Sequence, residues 1–127
     1  MKKIRLLLVD DEADVLQAYA RRFARRNAEL ELAQSGAEAL EKVQSGQFDA
    51  VVLDVMMPGM NGIETLRRIK GLRPELPVII LTGHANSQAL IEGMESGAFD
   101  YLLKPVGTDE LYFKVLDAVR SSRLTSA

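Results

Sequence analysis

Short apolar segments alternate with longer amphipathic segments along the whole chain. The predicted strands are residues 4–9, 30–34, 50–53, 78–81 and 101–103. The last three of these segments are apolar throughout, which is typical of strands covered by helices on both faces. Strands that alternate with helices in this way predict an α/β fold with a parallel sheet.

Between the strands, apolar side chains recur at the spacing of amphipathic helices. The predicted core faces are Val15, Leu16, Tyr19, Ala20 and Phe23; Leu40 and Val43; Ile63, Leu66 and Ile69; Leu90, Ile91 and Met94; and Leu111, Val115 and Val119. Ser35 followed by Glu38 is the pattern of a capping box, so we expect the second helix to begin there. The sequence therefore predicts five strand–helix units.

The length and composition predict one domain that folds without disulfides or zinc. The chain has 127 residues, 47% hydrophobic side chains and no cysteine. A chain of this size buries enough apolar surface to fold unaided. We expect residues 1–122 to form the domain and residues 123–127 to be a polar tail or the start of a linker.

The 16 basic and 18 acidic residues give a formal net charge of −2. This balance argues against direct binding of nucleic acid, which depends on accumulated Lys and Arg. The apolar runs are far shorter than the roughly 20 residues that span a bilayer. The first run is interrupted by Asp10, Asp11 and Glu12, unlike a signal peptide. We therefore expect a cytoplasmic protein that makes no membrane contact.

Polar side chains follow four of the predicted strands. Asp10 and Asp11 follow the first, Asp54 the third, Thr82 the fourth and Lys104 the fifth. Taken singly, such residues are often helix caps or solvated side chains. The carboxyl ends of parallel strands share one edge, so we expect these residues to converge there. Neighbouring carboxylates repel unless a cation neutralises them, and oxygen ligands suit Mg²⁺, or Mn²⁺ in its place.

The same residues stand in motifs that resemble the receiver domain of bacterial two-component response regulators. The motifs are Asp10-Asp11, then DVMMPGMNG at 54–62, LTG at 81–83 and YLLKP at 101–105. They occur in order and cover nearly the whole chain. The resemblance implies a flavodoxin-like (βα)5 doubly wound parallel sheet in three layers, with strand order 2-1-3-4-5. It also implies a cis peptide bond between Lys104 and Pro105.

The resemblance implies that Asp54 is the phosphoacceptor. It would take a phosphoryl group from the phosphohistidine of a histidine kinase or histidine phosphotransferase and become an aspartyl phosphate. Lys104 and Thr82 would contact the phosphoryl oxygens. The implied magnesium ligands are Asp10, Asp11, Asp54 and the backbone carbonyl of Met56.

The implied switch residues are Thr82 and Tyr101. Thr82 would move toward the phosphoryl group and Tyr101 would turn inward, which changes the surface of the fourth helix, fifth strand and fifth helix. This surface is expected to control a downstream protein or a fused effector domain, or to form a homodimer. Phe113 lies about 200° from Leu111 around the fifth helix, so we expect it to be exposed on this surface.

Two further groups have a functional and a simpler interpretation. Met56 and His84 would flank the phosphoryl group and set its lifetime, or His84 is a solvated loop residue. A basic cluster ends the first helix and consists of Arg21, Arg22, Arg25 and Arg26. The helix dipole suffices to explain such a cluster, and the resemblance implies docking of the phosphodonor protein there.

Three classes of function stay open. The preferred one is a phosphorylation-activated switch, which phosphorylates and dephosphorylates itself without turning over external substrates. The second is a magnesium-dependent phosphohydrolase with Asp54 as nucleophile, although Met56 stands where such enzymes carry a second carboxylate. The third is an interaction module that ignores phosphate, although such a module has no need of the complete set of site residues.

Overall fold

The computed structural model describes residues 3–55, 62–83 and 88–125. Strands and helices alternate through these ranges. They are β1 (Ile4–Val9), α1 (Ala13–Phe23), β2 (Ala28–Ala33), α2 (Gly36–Ser45), β3 (Ala50–Asp54), α3 (Gly62–Leu72), β4 (Val78–Thr82), α4 (Gln88–Glu95), β5 (Asp100–Leu103) and α5 (Thr108–Thr125). Strand β2 begins earlier than predicted because it pairs with β1 from Ile4 onward.

The strands form one parallel sheet in the order β2-β1-β3-β4-β5. Alternate residues of β1 face opposite sides: Leu6 and Leu8 pack with α1 and α5, whereas Leu7 and Val9 pack with α2 and α3. The predicted three-layered, doubly wound fold is therefore confirmed. Across the described ranges, no helix combines the length and apolar character needed to cross a membrane.

Strand β5 differs from the expectation that both of its faces are covered. Leu102 is buried against the core shared by α1 and α5, whereas Tyr101 and Leu103 are exposed. The reason is the position of β5 at the edge of the sheet. An apolar strand sequence indicates burial but does not distinguish an edge strand from a central one.

The expected core face of α4 is wrong in part. Leu90 is buried, but Ile91 and Met94 are 49% and 38% exposed. The buried stripe instead runs through Leu90 and Gly93. A Cβ atom at Gly93 would overlap Cδ1 of Ile80 on β4, so the missing side chain lets α4 lie directly against the sheet.

The start of α2 and the end of α5 can be compared with the sequence predictions. Ser35 Oγ accepts a hydrogen bond from the Glu38 amide (3.1 Å), as a capping box requires. The Glu38 carboxylate accepts from the amide of Gln34 (3.2 Å) rather than from that of Ser35. Helix α5 continues through Thr125, into the segment expected as a tail, and Ser122 Oγ donates to the Glu75 carbonyl (2.8 Å). The domain boundary at residue 122 stays a prediction.

Candidate functional site

The candidate site lies at the carboxyl edge of the sheet. Asp54 and Thr82 are the last residues of β3 and β4. Asp10 directly follows β1, and its amide donates to the Ala33 carbonyl (3.0 Å). The Lys104 amide donates to the Thr82 carbonyl (2.8 Å), and the Lys104–Pro105 peptide bond is cis. Backbone hydrogen bonding thus fixes where each of these side chains leaves the sheet.

Lys104 bridges two carboxylates at this edge. Its Nζ lies 2.6 Å from Oδ2 of Asp54 and 3.5 Å from Oδ2 of Asp10. Both aspartates are buried, while Lys104 is partly exposed. A buried carboxylate is costly without a partner, so the ammonium group offsets part of the cost of bringing the two together.

The interactions of Asp10 offset only part of the cost of burying its carboxylate. Its Oδ1 accepts from the Glu12 amide (2.9 Å), but its buried Oδ2 accepts no hydrogen bond from any described residue. Burial raises the pKa of Asp10, and the charges of Asp54 and Asp11 raise it further; the Glu12 amide and Lys104 oppose this rise without cancelling it. The charge of Asp10 is therefore costly in this position, chiefly because the side chain is buried.

Burial also acts on Lys104, where it disfavours the charged form. The carboxylates of Asp54 and Asp10 outweigh that effect and raise the pKa of Lys104 above its ordinary value. Lys104 is therefore a permanent cation at physiological pH.

Three consecutive acidic residues form a group that could hold a metal ion. Carboxylate oxygens of Asp10, Asp11 and Glu12 lie within 4.8 Å of one another, and Asp11 and Glu12 are exposed. Glu12 occupies the N-cap position of α1 but its side chain makes no capping hydrogen bond. The oxygen-only donor set and the Oδ2 of Asp10, which accepts no hydrogen bond from the described residues, fit a hard divalent cation.

Glu12 is the member of this group that the sequence prediction misses. Its position next to Asp10 and Asp11 was the available signal, but an acidic residue at the start of a helix is ordinary. The backbone carbonyl of Met56, which is also a predicted magnesium ligand, lies outside the described residues. His84 lies outside them as well.

The predicted switch and surface residues occupy two environments. Thr82 is fully buried at the end of β4, whereas Tyr101 is 37% exposed on β5. Phe113 is 58% exposed, as expected from its position on α5, and its ring lies 5.9 Å from that of Tyr112. The roles assigned to these residues stay predictions.

The arginine cluster begins in the last turn of α1 and continues just beyond the end of the helix. Arg26 forms an ion pair with Asp109 and lies over the ring of Tyr112, 5.4 Å from its centroid. The remaining members are Arg21, Arg22 and Arg25, which are exposed.

Comparison with known proteins places this arrangement in one family. Residues 6–116 match the family described as the response regulator receiver domain. The chain therefore belongs to the receiver domains of response regulators. Membership supports a signalling switch and does not favour a phosphohydrolase.

The relatives differ in total length. The chain is 39% identical to the transcriptional regulatory protein ZraR of Klebsiella oxytoca, over 99% of this chain and 28% of that protein. It is 36% identical to the response regulator MprA of Mycobacterium tuberculosis (strain ATCC 25618 / H37Rv), over 94% of this chain and 52% of that protein. This chain thus spans about half or less of these relatives.

Solved structures confirm the fold. A CheY-like receiver domain protein from Methanospirillum hungatei JF-1 superposes with a TM-score of 0.91 at 28% identity, covering 97% of this chain and 98% of that one. A receiver domain protein from Clostridium thermocellum gives a TM-score of 0.90 at 34% identity, covering 96% and 98%.

Proposed function

We propose that this domain is a phosphorylation-dependent switch in which Asp54 accepts a phosphoryl group from a phosphohistidine. The donor is a histidine kinase or histidine phosphotransferase. The observation that carries this proposal is the buried Asp54 carboxylate with the Lys104 ammonium 2.6 Å away, beside the acidic group of Asp10 and Asp11. A carboxylate nucleophile thus has both a cation and candidate metal ligands around it.

In the proposed reaction, a carboxylate oxygen of Asp54 attacks phosphorus as the bond between phosphorus and the donor histidine nitrogen breaks. Lys104, already paired with this carboxylate, then binds an oxygen of the transferred group. Burial of Asp54 limits the access of water to the new acyl phosphate. The Thr82 hydroxyl, at the end of the neighbouring strand, is the proposed third contact.

The proposed metal is Mg²⁺, with Mn²⁺ as an alternative. Asp10, Asp11, Asp54 and the backbone carbonyl of Met56 are the proposed ligands. When bound, the ion supplies charge neutralisation for the transferring phosphoryl group. The grouping of Asp10 and Asp11 and the buried Oδ2 of Asp10, which accepts no hydrogen bond from the described residues, support this assignment.

The proposed output surface comprises α4, β5 and α5. Its exposed large apolar members are Ile91, Met94, Tyr101, Leu103, Phe113 and Leu124. We propose that movement of Thr82 toward the phosphoryl group and of Tyr101 inward changes this surface and hence its binding of a downstream protein, a fused effector domain or a second copy. The two longer relatives support an effector on the same chain.

Acetyl phosphate with Mg²⁺ tests this function without knowledge of the donor protein. Intact-mass measurement should show a gain of about 80 Da, one phosphoryl group per chain. Asp54→Asn should abolish the gain, whereas Asp117→Asn, which removes an exposed carboxylate of α5, should retain it.

Two other results would contradict the switch. Release of many equivalents of phosphate per chain would instead indicate the phosphohydrolase. A wild-type protein that gains no mass while remaining folded would indicate a module that ignores phosphate.

A further inference from the structure

A cavity of about 580 Å³ lies between the end of α1 and the start of α5. The described residues that line it are Ala18, Arg21, Arg22, Arg25, Arg26 and Thr108. The whole chain carries a net charge of −2, so this concentration of guanidinium groups does not reflect a generally basic protein. The cavity is separate from the residues assigned to phosphoryl transfer.

Most of this positive charge lacks a partner. Arg26 pairs with Asp109, but Arg21, Arg22 and Arg25 form no ion pair among the described residues. These three guanidinium groups are exposed and have the same charge, so they repel one another across the cavity.

The helix dipole accounts for only part of the cluster. Cations are favourable in the last turn of a helix, which here contains Arg21 and Arg22. Helix α1 ends at Phe23, however, and Arg25 and Arg26 lie beyond it. Arg26 is paired with Asp109, so Arg25 is the residue that neither the dipole nor an ion pair explains.

We propose that this cavity binds a compact polyanion with two or more linked phosphoryl groups. Guanidinium groups bind phosphoryl oxygens in pairs of parallel hydrogen bonds, and several converging arginines suit linked phosphates. Thr108, the first residue of α5, lines the same cavity, and the neighbouring Asp109 is paired with Arg26. This binding goes beyond the proposed phosphoryl transfer and does not depend on it.

The lining of the cavity favours a small ligand over an acidic protein surface. The cavity is an open depression on the surface. Among its described lining residues, Ala18 is the sole apolar side chain, whereas protein interfaces are usually centred on large apolar or aromatic anchors. Charge rather than apolar contact therefore dominates recognition.

Isothermal titration with tripolyphosphate in metal-free, phosphate-free buffer tests the proposal. We expect one site per chain and at least tenfold weaker binding by the double variant Arg21→Gln/Arg25→Gln. The matched control Arg67→Gln/Arg68→Gln removes the same charge from the exposed face of α3 and should change the affinity by less than about twofold. Thermal melting of each variant verifies folding.

Titration with further ligands shows which chemical groups the cavity recognises. Orthophosphate should bind at least tenfold more weakly than tripolyphosphate, because it offers one phosphoryl group. A comparison of ADP with pyrophosphate distinguishes a nucleotide from an inorganic source, and binding of either one supports the cavity. Asp54→Asn should retain the tripolyphosphate affinity, which separates this site from the proposed phosphoacceptor.

Three results would overturn the proposal. One is the absence of tripolyphosphate binding at millimolar concentration by folded wild-type protein. Another is equal weakening in the two double variants, which would indicate a diffuse charge effect. The third is binding of a poly-glutamate peptide without binding of tripolyphosphate, which would assign the cavity to an acidic protein.

Discussion

Asp10 lies where the requirements of stability and of metal binding conflict. Its carboxylate is buried near Asp54 and Asp11, and its Oδ2 receives no hydrogen bond within the described part of the chain. We expect Asp10→Asn to raise the free energy of unfolding at pH 7 by about 1–3 kcal/mol, the usual cost of an uncompensated buried polar group. Chemical denaturation measures this gain, and Asp117→Asn on the exposed face of α5 serves as control.

The gain from Asp10→Asn should depend on pH. Because the pKa of Asp10 is raised in the folded state, the folded protein binds more protons than the unfolded chain above the ordinary value of 3.8. The contribution of Asp10 to stability therefore falls as pH rises through its folded pKa. The advantage of the variant should shrink as pH is lowered toward 3.8. A gain that is the same at acidic and neutral pH would contradict this electrostatic account.

Magnesium should stabilise the domain through the same carboxylates. A ligand at about 100 times its Kd stabilises a protein that binds it by about 2.7 kcal/mol. We expect Mg²⁺ to raise the Tm of the wild type, and EDTA to reverse the rise. Asp11→Asn should weaken the response, whereas Asp14→Asn, one turn further along, should not. An identical response in both variants would exclude Asp11 as a ligand.

The sequence predicts the convergence of Asp10, Asp54 and Lys104 because the ends of parallel strands meet at one edge. The ion pairs of Lys104 with both aspartates could not be predicted, since they depend on side-chain conformation in the assembled site. Glu12 escapes prediction because its sequence position fits a helix start as well as it fits a metal site.

At the scale of elements, α4 depends on a close approach to β4. Gly93→Ala places a methyl group against Cδ1 of Ile80, with Cδ1 of Ile63 also nearby, in a fully packed region. We expect a loss of about 1–3 kcal/mol in the free energy of unfolding, which is typical of overpacking.

Gly71→Ala in α3 is the matched control for this change, because its added Cβ would meet no described atom within 4 Å apart from the backbone of its own helix and its chain neighbours. We expect Gly71→Ala to leave stability unchanged or slightly higher, since alanine favours a helix more than glycine does. Equal stability of the two variants would show that α4 does not need the close contact.

The same helix shows where sequence patterns fail. Helical spacing places Ile91 and Met94 on the same predicted face as Leu90. A buried glycine has no apolar side chain, so the sequence pattern does not predict that the buried face runs through Leu90 and Gly93. The predicted burial of both faces of β5 is wrong for a related reason, because its apolar sequence does not indicate that the strand lies at the edge of the sheet. Both errors concern which face of a helix or strand is buried. The number and order of the helices and strands were predictable from the alternating sequence pattern and from the family motifs.

For the whole molecule, substitution of Phe113 tests whether phosphorylation of Asp54 changes binding at the surface of α4, β5 and α5. Phe113→Ala should weaken phosphorylation-dependent self-association at least tenfold, as expected for a large aromatic side chain at an interface. Sedimentation of the protein with and without acetyl phosphate and Mg²⁺ measures this effect. Leu72→Ala, another exposed apolar side chain but on α3, should have no effect. Unchanged association of Phe113→Ala would remove this residue from the proposed interface.

Mapping the modified residue tests the proposal that Asp54 becomes the aspartyl phosphate. After treatment with acetyl phosphate and Mg²⁺, borohydride reduces an acyl phosphate at an aspartate to homoserine, which peptide mass spectrometry locates. The structure predicts modification at Asp54 alone, and none in the Asp54→Asn variant. Modification at another carboxylate of the wild type, or a retained phosphoryl mass in Asp54→Asn, would show that Asp54 is not the phosphoacceptor.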